Sequence, residues 1–382
     1  MKITARELNR ATLDRQLLLR REPLKATEGV RRVLALQAQQ PASPYVALWN
    51  RLAGFDPAEV DAAFSDGTLA KATLMRITLH AVHGEDYRVL REAMQQTLHA
   101  SRLGFRFAAT GLTPEDAGRL VPDLLKFAGK ARTKAELDAW LEELVGAERK
   151  DGALWGLRAY APLLHVPAGG PWSFGVRASY VAAPSCPAFT GREHVPDATR
   201  HLVLRYLKAF GPASVADVAQ FAMVRRGPVR EALSALGTLG TVEQLEGPDG
   251  TKVFDVVGAA RPAAETPAPP RLMAMWDSVL LAYSDRSRVI PEEYRRQVIR
   301  VNGDVLPTVL VDGYVAGVWH PVDGGIEVTA FHDLAPAAWE GLAEEARALS
   351  ALLADRDPRA YSRYRHWWTK ISGSQVRVLA AG

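Results

Sequence analysis

Tyr206-Leu207-Lys208-Ala209-Phe210-Gly211-Pro212-Ala213-Ser214-Val215-Ala216-Asp217 ends one helix and leads into another within a few residues. The apolar spacing predicts the first helix over 198–210. Gly211 and Pro212 interrupt it, Ser214 to Asp217 open a short second helix, and a third is predicted over 227–239. Two short strands follow, Thr241 to Leu245 and Thr251 to Val257, joined by Glu246-Gly247-Pro248-Asp249-Gly250. Three helices at helix-turn-helix spacing with a hairpin behind them are the pattern of a winged helix.

Towards the N-terminus the same order of elements recurs. Thr113-Pro114-Glu115-Asp116 and Thr133-Lys134-Ala135-Glu136 each cap a helix. Trp155 to Val166 and Trp172 to Val181 then read as two strands joined by a flexible turn at Pro167 to Pro171. Earlier still, residues 4–20 are predicted helical, with Thr4 as N-cap, Glu7 completing a capping box, and Leu8, Leu13, Leu17 and Leu18 on the buried side. After Pro23 a helix is predicted over 26–40, and Asp56-Pro57-Ala58-Glu59 opens another. Ala72 to Val82 is β-rich, and a helix starts at His83-Gly84-Glu85-Asp86 and runs to Arg102. Two or three copies of one helices-plus-hairpin module are visible in this pattern.

Towards the C-terminus, Ala259 to Pro270 is Ala/Pro-rich and reads as a linker. Short strands are predicted over 279–283, 298–301, 305–311, 314–320 and 326–330. Asn302-Gly303 and Asp312-Gly313 are strong hairpin turns among them. A small antiparallel β-barrel or sheet is the expected product, closed by a helix over 334–353. Arg363 to Trp368 is a basic aromatic patch, read as tryptophans packed on the barrel in preference to stacking on bases. The expected class is therefore α+β. It divides into a winged-helix-like domain over 1–110, a second with a hairpin wing over 111–192, a winged helix over 193–268, and a barrel domain with a C-terminal helix over 269–382.

The 382 residues exceed what one core organises and suit several units. Apolar residues make up 48% and charged residues 24%, as in ordinary globular chains. The net charge is only +4, but the pI near 9.1 and 47 Lys plus Arg, chiefly arginine, suit a polyanionic partner. A single cysteine, Cys186, allows neither an intramolecular disulfide nor a Cys-based zinc site. His165, Glu193 and His194 show no ligand spacing, so no metal is expected. With no signal-like segment and no run of about 18 apolar residues, the expectation is a cytoplasmic protein away from membranes.

The candidate chemistry lies in Leu36-Gln37-Ala38-Gln39-Gln40-Pro41-Ala42-Ser43-Pro44. Val30, Val33, Leu34 and Leu36 form a helical stripe that Pro41 and Pro44 terminate near Gln39 or Gln40. That puts Gln37 and Gln39 at a helix end, where two amides can share one space. They can cap backbone groups or face solvent, or they can hold a water or a sugar, but neither is a strong proton acceptor.

Several blocks together resemble one family, the AlkZ-like DNA glycosylases of the helix-turn-helix superfamily. They are Leu36 to Tyr45 with Leu48-Trp49, Leu74-Met75-Arg76-Ile77-Thr78-Leu79-His80, Tyr206 to Ala213, Asp285-Arg286-Ser287-Arg288-Val289-Ile290-Pro291, and Pro307 to Gly313 through Gly317-Val318-Trp319. The resemblance implies a C-shaped chain of tandem winged-helix domains ending in a small β-barrel. It also implies a catalytic pattern of Gln, an apolar residue, then Gln or Asp, matched here by Gln37, Ala38 and Gln39. The Gln-Gln branch is known for unhooking bulky lesions and crosslinks left by DNA-alkylating antibiotics. The implied partner is double-stranded DNA containing alkylated purines, bound by a monomer without a cofactor.

Two neutral amides suit such a substrate. Hydrolysis of an ordinary N-glycosidic bond needs a carboxylate and usually an acid. A purine alkylated at N7 is already cationic and leaves without protonation, so the task reduces to holding a water near C1′ and stabilising developing charge. No lysine is well placed beside the pair for lyase chemistry. Arg76 and His80 alternate on a predicted strand face, either approaching DNA or held in a salt bridge and a satisfied core contact. Arg286 and Arg288 bind phosphates or hold the linker to the barrel. A non-enzymatic winged-helix DNA binder is the competing expectation.

Overall fold

The computed structural model describes residues 2–175, 177–184, 186 and 195–381. Its N-terminal helix α1 (Ala5–Arg15) carries the expected capping box, with Glu7 N donating to Thr4 Oγ1 and Thr4 N to Glu7 Oε2. Leu8, Leu13, Leu17 and Leu18 are buried as predicted, but the helix stops at Arg15, short of the expected residue 20, and Leu17 takes φ +56°. There follow α2 (Ala26–Val33), β1 (Leu36–Gln37), α3 (Ser43–Trp49), α4 (Pro57–Ser65), β2 (Leu69–Thr73), β3 (Leu79–His83) and α5 (Gly84–Ala93).

The strands from the first half of the chain form one sheet of six. Its order is β1, β3, β2, Leu163–His165, Ser179–Ala182 and Arg132–Thr133, antiparallel throughout. One expectation fails here: Trp155 does not begin a strand. Lys150–Leu157 is helical, and the strand starts only at Leu163. Ala153, Leu154 and Leu157 are buried at helical spacing. Gly156 lets this helix close on the Arg102–Ala109 helix, since a Cβ there would lie 2.4 Å from Phe107 Cβ.

The three helices and hairpin of the opening stretch form where the spacing puts them, at Pro196–Phe210, Val215–Ala222, Arg226–Thr238, Val242–Glu246 and Lys252–Val256. Tyr206, Phe210 and Phe221 pack in mutual contact, and Tyr283 joins them edge-on from the C-terminal region.

The C-terminal sheet has five antiparallel strands in the order Gln375–Ala380, Gly325–Ala330, Tyr314–Val322, Thr308–Val311 and Arg271–Leu272. Its two outer strands do not pair with each other, so the expected barrel is an open sheet. Two segments expected to supply strands do not: Ser278–Leu280 is a single 3₁₀ turn started by the Asp277 side chain, and over 298–301 a short helix (Arg295–Val298) ends and only Ile299 makes an isolated bridge, to Val305. The Pro336–Arg356 helix covers the sheet through Trp339, Leu342, Ala346 and Leu349. Asp312-Gly313 makes the predicted hairpin turn, with φ of 50° and 80°. Gly313 is required twice over, because a Cβ there would also lie 2.5 Å from Leu13 of α1. Among the described residues no helix is long and apolar enough to cross a membrane.

One buried cluster joins Leu13, Val30, Val33 and Trp49 to Leu272, Val318 and Trp319. The N-terminal helices thus rest on the C-terminal sheet. Ion pairs seal this junction: Arg51 and Asp277 meet through two 2.8 Å hydrogen bonds with both side chains wholly buried.

Candidate active site

Gln37 sits on a strand, which corrects the helix expected over 26–40. α2 stops at Val33, and Leu34 takes φ +73° with no glycine to ease it. Strand pairing decides the matter, because Leu36 and Gln37 lie opposite Ala81 and His80 at the edge of β3. The ladder runs on for one residue, with Ala38 N donating to Leu79 O at 2.7 Å. Leu79 N then donates to the side-chain Oε1 of Gln39 at 2.9 Å. Gln37 is buried and Gln39 exposed.

Arg76 reaches Gln37 from the turn between β2 and β3. That turn is tight, with Ile77 N bonded to Leu74 O and Leu74 N to Thr78 O. It holds two successive non-glycine residues in the left-handed region, Arg76 at φ 53° and Ile77 at φ 57°. Each such residue costs on the order of 1 kcal/mol or more. The conformation aims the Arg76 guanidinium back at the sheet, where Nη2 donates to Gln37 Oε1 at 2.5 Å and contacts His80 Nε2 at 3.3 Å.

The His80 tautomer follows from its neighbours. Nδ1 lies 3.1 Å from Thr78 O, which can only accept, so Nδ1 carries the proton and Nε2 is bare. Burial first, and the Arg76 cation second, hold His80 well below the usual imidazole range. Arg76 itself is pulled down to about 9 by burial and by the nearby Arg286 cation. Among the described residues it forms no carboxylate ion pair. Its guanidinium stands 5.2 Å from the Phe221 ring centroid, and its Nη1 is buried with no hydrogen-bond partner.

The four basic candidates thus separate. Arg76 and His80 converge on Gln37, the His satisfied and the Arg bonded to neutral acceptors without a carboxylate among the described residues. Arg288 donates to Pro212 O at 2.7 Å and lies 4.0 Å over the Tyr283 ring. Arg286, on the same turn, has a buried Nε without a partner, and burial and then Arg295 lower its proton affinity. His165 stands apart, on the strand beside β2, with Nε2 unpartnered. Glu193 and His194 lie outside the described residues. Among the described residues no group of three His, Cys, Asp or Glu could hold a metal ion.

Chemically, the site offers two carboxamide oxygens, each already pinned by one N–H donor and each keeping a second lone pair. Behind Gln37 lies the buried Arg76 cation, which has no carboxylate partner among the described residues. The sequence did not foretell the contact between Arg76 and Gln37, because a turn of unremarkable residues creates it.

Comparison with known proteins gives the class first. The solved structure of Streptomyces sahachiroi DNA glycosylase AlkZ shares the fold, with a TM-score of 0.77 at 23% identity over 92% of this chain and 96% of that one. The chain is also similar to an interstrand DNA cross-link repair glycosylase of Streptomyces sahachiroi, 27% identical over 348 residues, which is 87% of this chain and 92% of the relative. The family described as DNA glycosylase AlkZ-like matches residues 30–352, and the chain belongs to that family.

Proposed function

We propose that this protein hydrolyses the N-glycosidic bond of N7-alkylated, cationic purines in double-stranded DNA, bulky adducts and interstrand crosslinks included. Gln37 and Gln39 form the catalytic pair. The observation that carries the reading is that both Oε1 atoms are fixed by N–H donors at the end of one strand, Gln37 by Arg76 and Gln39 by Leu79. Oxygens fixed in this way orient a water and stabilise positive charge at C1′ without reorganising during the reaction. An undamaged purine finds no acid here, so a neutral pair also discriminates. The relative named for cross-link repair supports extending the substrate to crosslinks. No lysine bonds to the pair among the described residues, which favours hydrolysis without lyase chemistry.

The helices-plus-hairpin units act as winged helices in a C-shaped arrangement around the duplex, and the chain acts as a monomer. Arg286, half-exposed and without a carboxylate ion pair among the described residues, is the phosphate ligand of this turn. Arg288 supports it from behind by anchoring the turn.

Single-turnover excision of N7-methylguanine from duplex DNA tests the proposal. Wild type should release the base, and Gln37→Ala and Gln39→Ala should each lose on the order of 10²-fold in rate while folding and binding normally. Tight duplex binding by wild type without excision of this base or of a crosslinked guanine would favour a non-enzymatic DNA binder.

A further inference from the structure

We infer that Arg76 is a positioning residue that fixes which end of the Gln37 carboxamide faces the substrate. This rests on the reading of Gln37 as catalytic. The oxygen and nitrogen of a glutamine amide are nearly equal in size, so an amide at a reaction centre needs a partner that accepts only one orientation. Arg76 is such a partner, because a guanidinium has donors and no acceptor. Were Gln37 to flip, its NH₂ would meet the Nη2 hydrogens, and the 2.5 Å contact would become repulsive.

The chain of bonds behind Arg76 is also determined in one sense. Thr78 O can only accept, so His80 Nδ1 donates and Nε2 is left as an acceptor. The two hydrogens of Arg76 Nη2 are then directed at His80 Nε2 and Gln37 Oε1. His80 lies directly opposite Gln37 across the β1–β3 ladder, so the chain begins and ends on one pair of strands. The two left-handed residues at Arg76 and Ile77 are the conformational cost of bringing the guanidinium back over that pair.

The competing role for Arg76 is a direct phosphate contact, and kinetics separate the two. Arg76→Met and Arg76→Lys are compared with wild type by single-turnover excision of N7-methylguanine at saturating enzyme, and by affinity for undamaged duplex over a range of salt. Positioning predicts that both variants lose rate, Arg76→Met by about 10²-fold, with KM and the salt slope unchanged. Lysine should fail to rescue, because it lacks the planar fork. In the Gln37→Ala background Arg76→Met should cost nothing further, since there is no amide left to orient.

A phosphate contact predicts the reverse: weaker binding, a salt slope reduced by about one, rescue by lysine and an intact rate at saturation. That result would overturn the inference. If Arg76→Met does not fold, His80→Phe serves, with a rate loss of about tenfold expected at unchanged affinity, and an intact rate counts against the role. A silent Gln37→Ala would instead overturn the catalytic reading itself, whereas a silent Arg76 beside a crippled Gln37→Ala would overturn only the positioning role.

Discussion

Arg51 and Arg76 are both drawn out of water, and the protein treats them in opposite ways. Arg51 meets Asp277 through two hydrogen bonds and also reaches Ala47 O and Gln16 Oε1. Arg15 is handled similarly, bound to both oxygens of buried Asp255 and to Leu207 O. Arg76 is given an amide oxygen, an imidazole nitrogen and an aromatic ring, none of them charged. A fold that places carboxylates against Arg51 and Arg15 leaves the cation beside Gln37 without one. Uncompensated charge of this kind destabilises a scaffold, and here its Nη2 donors are spent on Gln37 and His80 rather than on a counter-charge.

Removing the carboxylate from the scaffold pair should therefore produce the largest effect. Asp277→Ala leaves the Arg51 cation wholly buried with no counter-charge, and also strips the cap from Val279 N. A loss of about 3–5 kcal/mol is expected, read as a shift in the denaturant midpoint at constant m-value. A loss under about 1 kcal/mol would show that water reaches this pair, and the contrast with Arg76 would weaken.

The converse change should give a smaller effect of opposite sign. Gln37→Glu supplies the missing carboxylate within 2.5 Å of Arg76 Nη2, with no change in side-chain length. Stability should rise by about 2 kcal/mol, the scale of a charge-assisted hydrogen bond, while excision of N7-methylguanine changes. Unaltered stability would mean that Arg76 is already satisfied.

What local sequence could show of this arrangement is uneven. Capping boxes were legible because their chemistry is confined to four residues, as at Thr4 and Glu7 or Thr133 and Glu136. The helix-turn-helix stretch and the Asp312-Gly313 turn were legible for the same reason. The end of α2 was not, since Val30, Val33, Leu34 and Leu36 fit a helical stripe well. Pairing with β3, more than forty residues away, pulled Leu36 and Gln37 out of it. The barrel failed likewise: Val279 to Tyr283 has strand composition, but Asp277 captures Val279 N and turns the chain. At the site, the glutamines and the basic residues could be named. That Arg76 serves Gln37 depends on two positive φ angles that no local residue type requires.

The smallest expected effect concerns protons. His80 must stay neutral to accept from Arg76, and burial with that adjacent cation holds its proton affinity far below that of an exposed imidazole. The unfolded chain takes up a proton here below about pH 6.5, whereas the folded chain refuses it. Between those limits the unfolded state binds more protons, so the associated stability is complete above about pH 6.5 and is lost as pH falls. His165, held to about 3 by burial, Arg158 and Lys71, and His320, held to about 4 by burial and Arg365, act in the same direction. Wild type should consequently lose stability on moving from pH 7 to pH 5.5, and His80→Phe should lose about 1 kcal/mol less over the same interval. Equal losses in the two proteins would mean that His80 is protonated in the folded state. It would then face Arg76 as a second donor, and Gln37 alone would be left to hold the guanidinium.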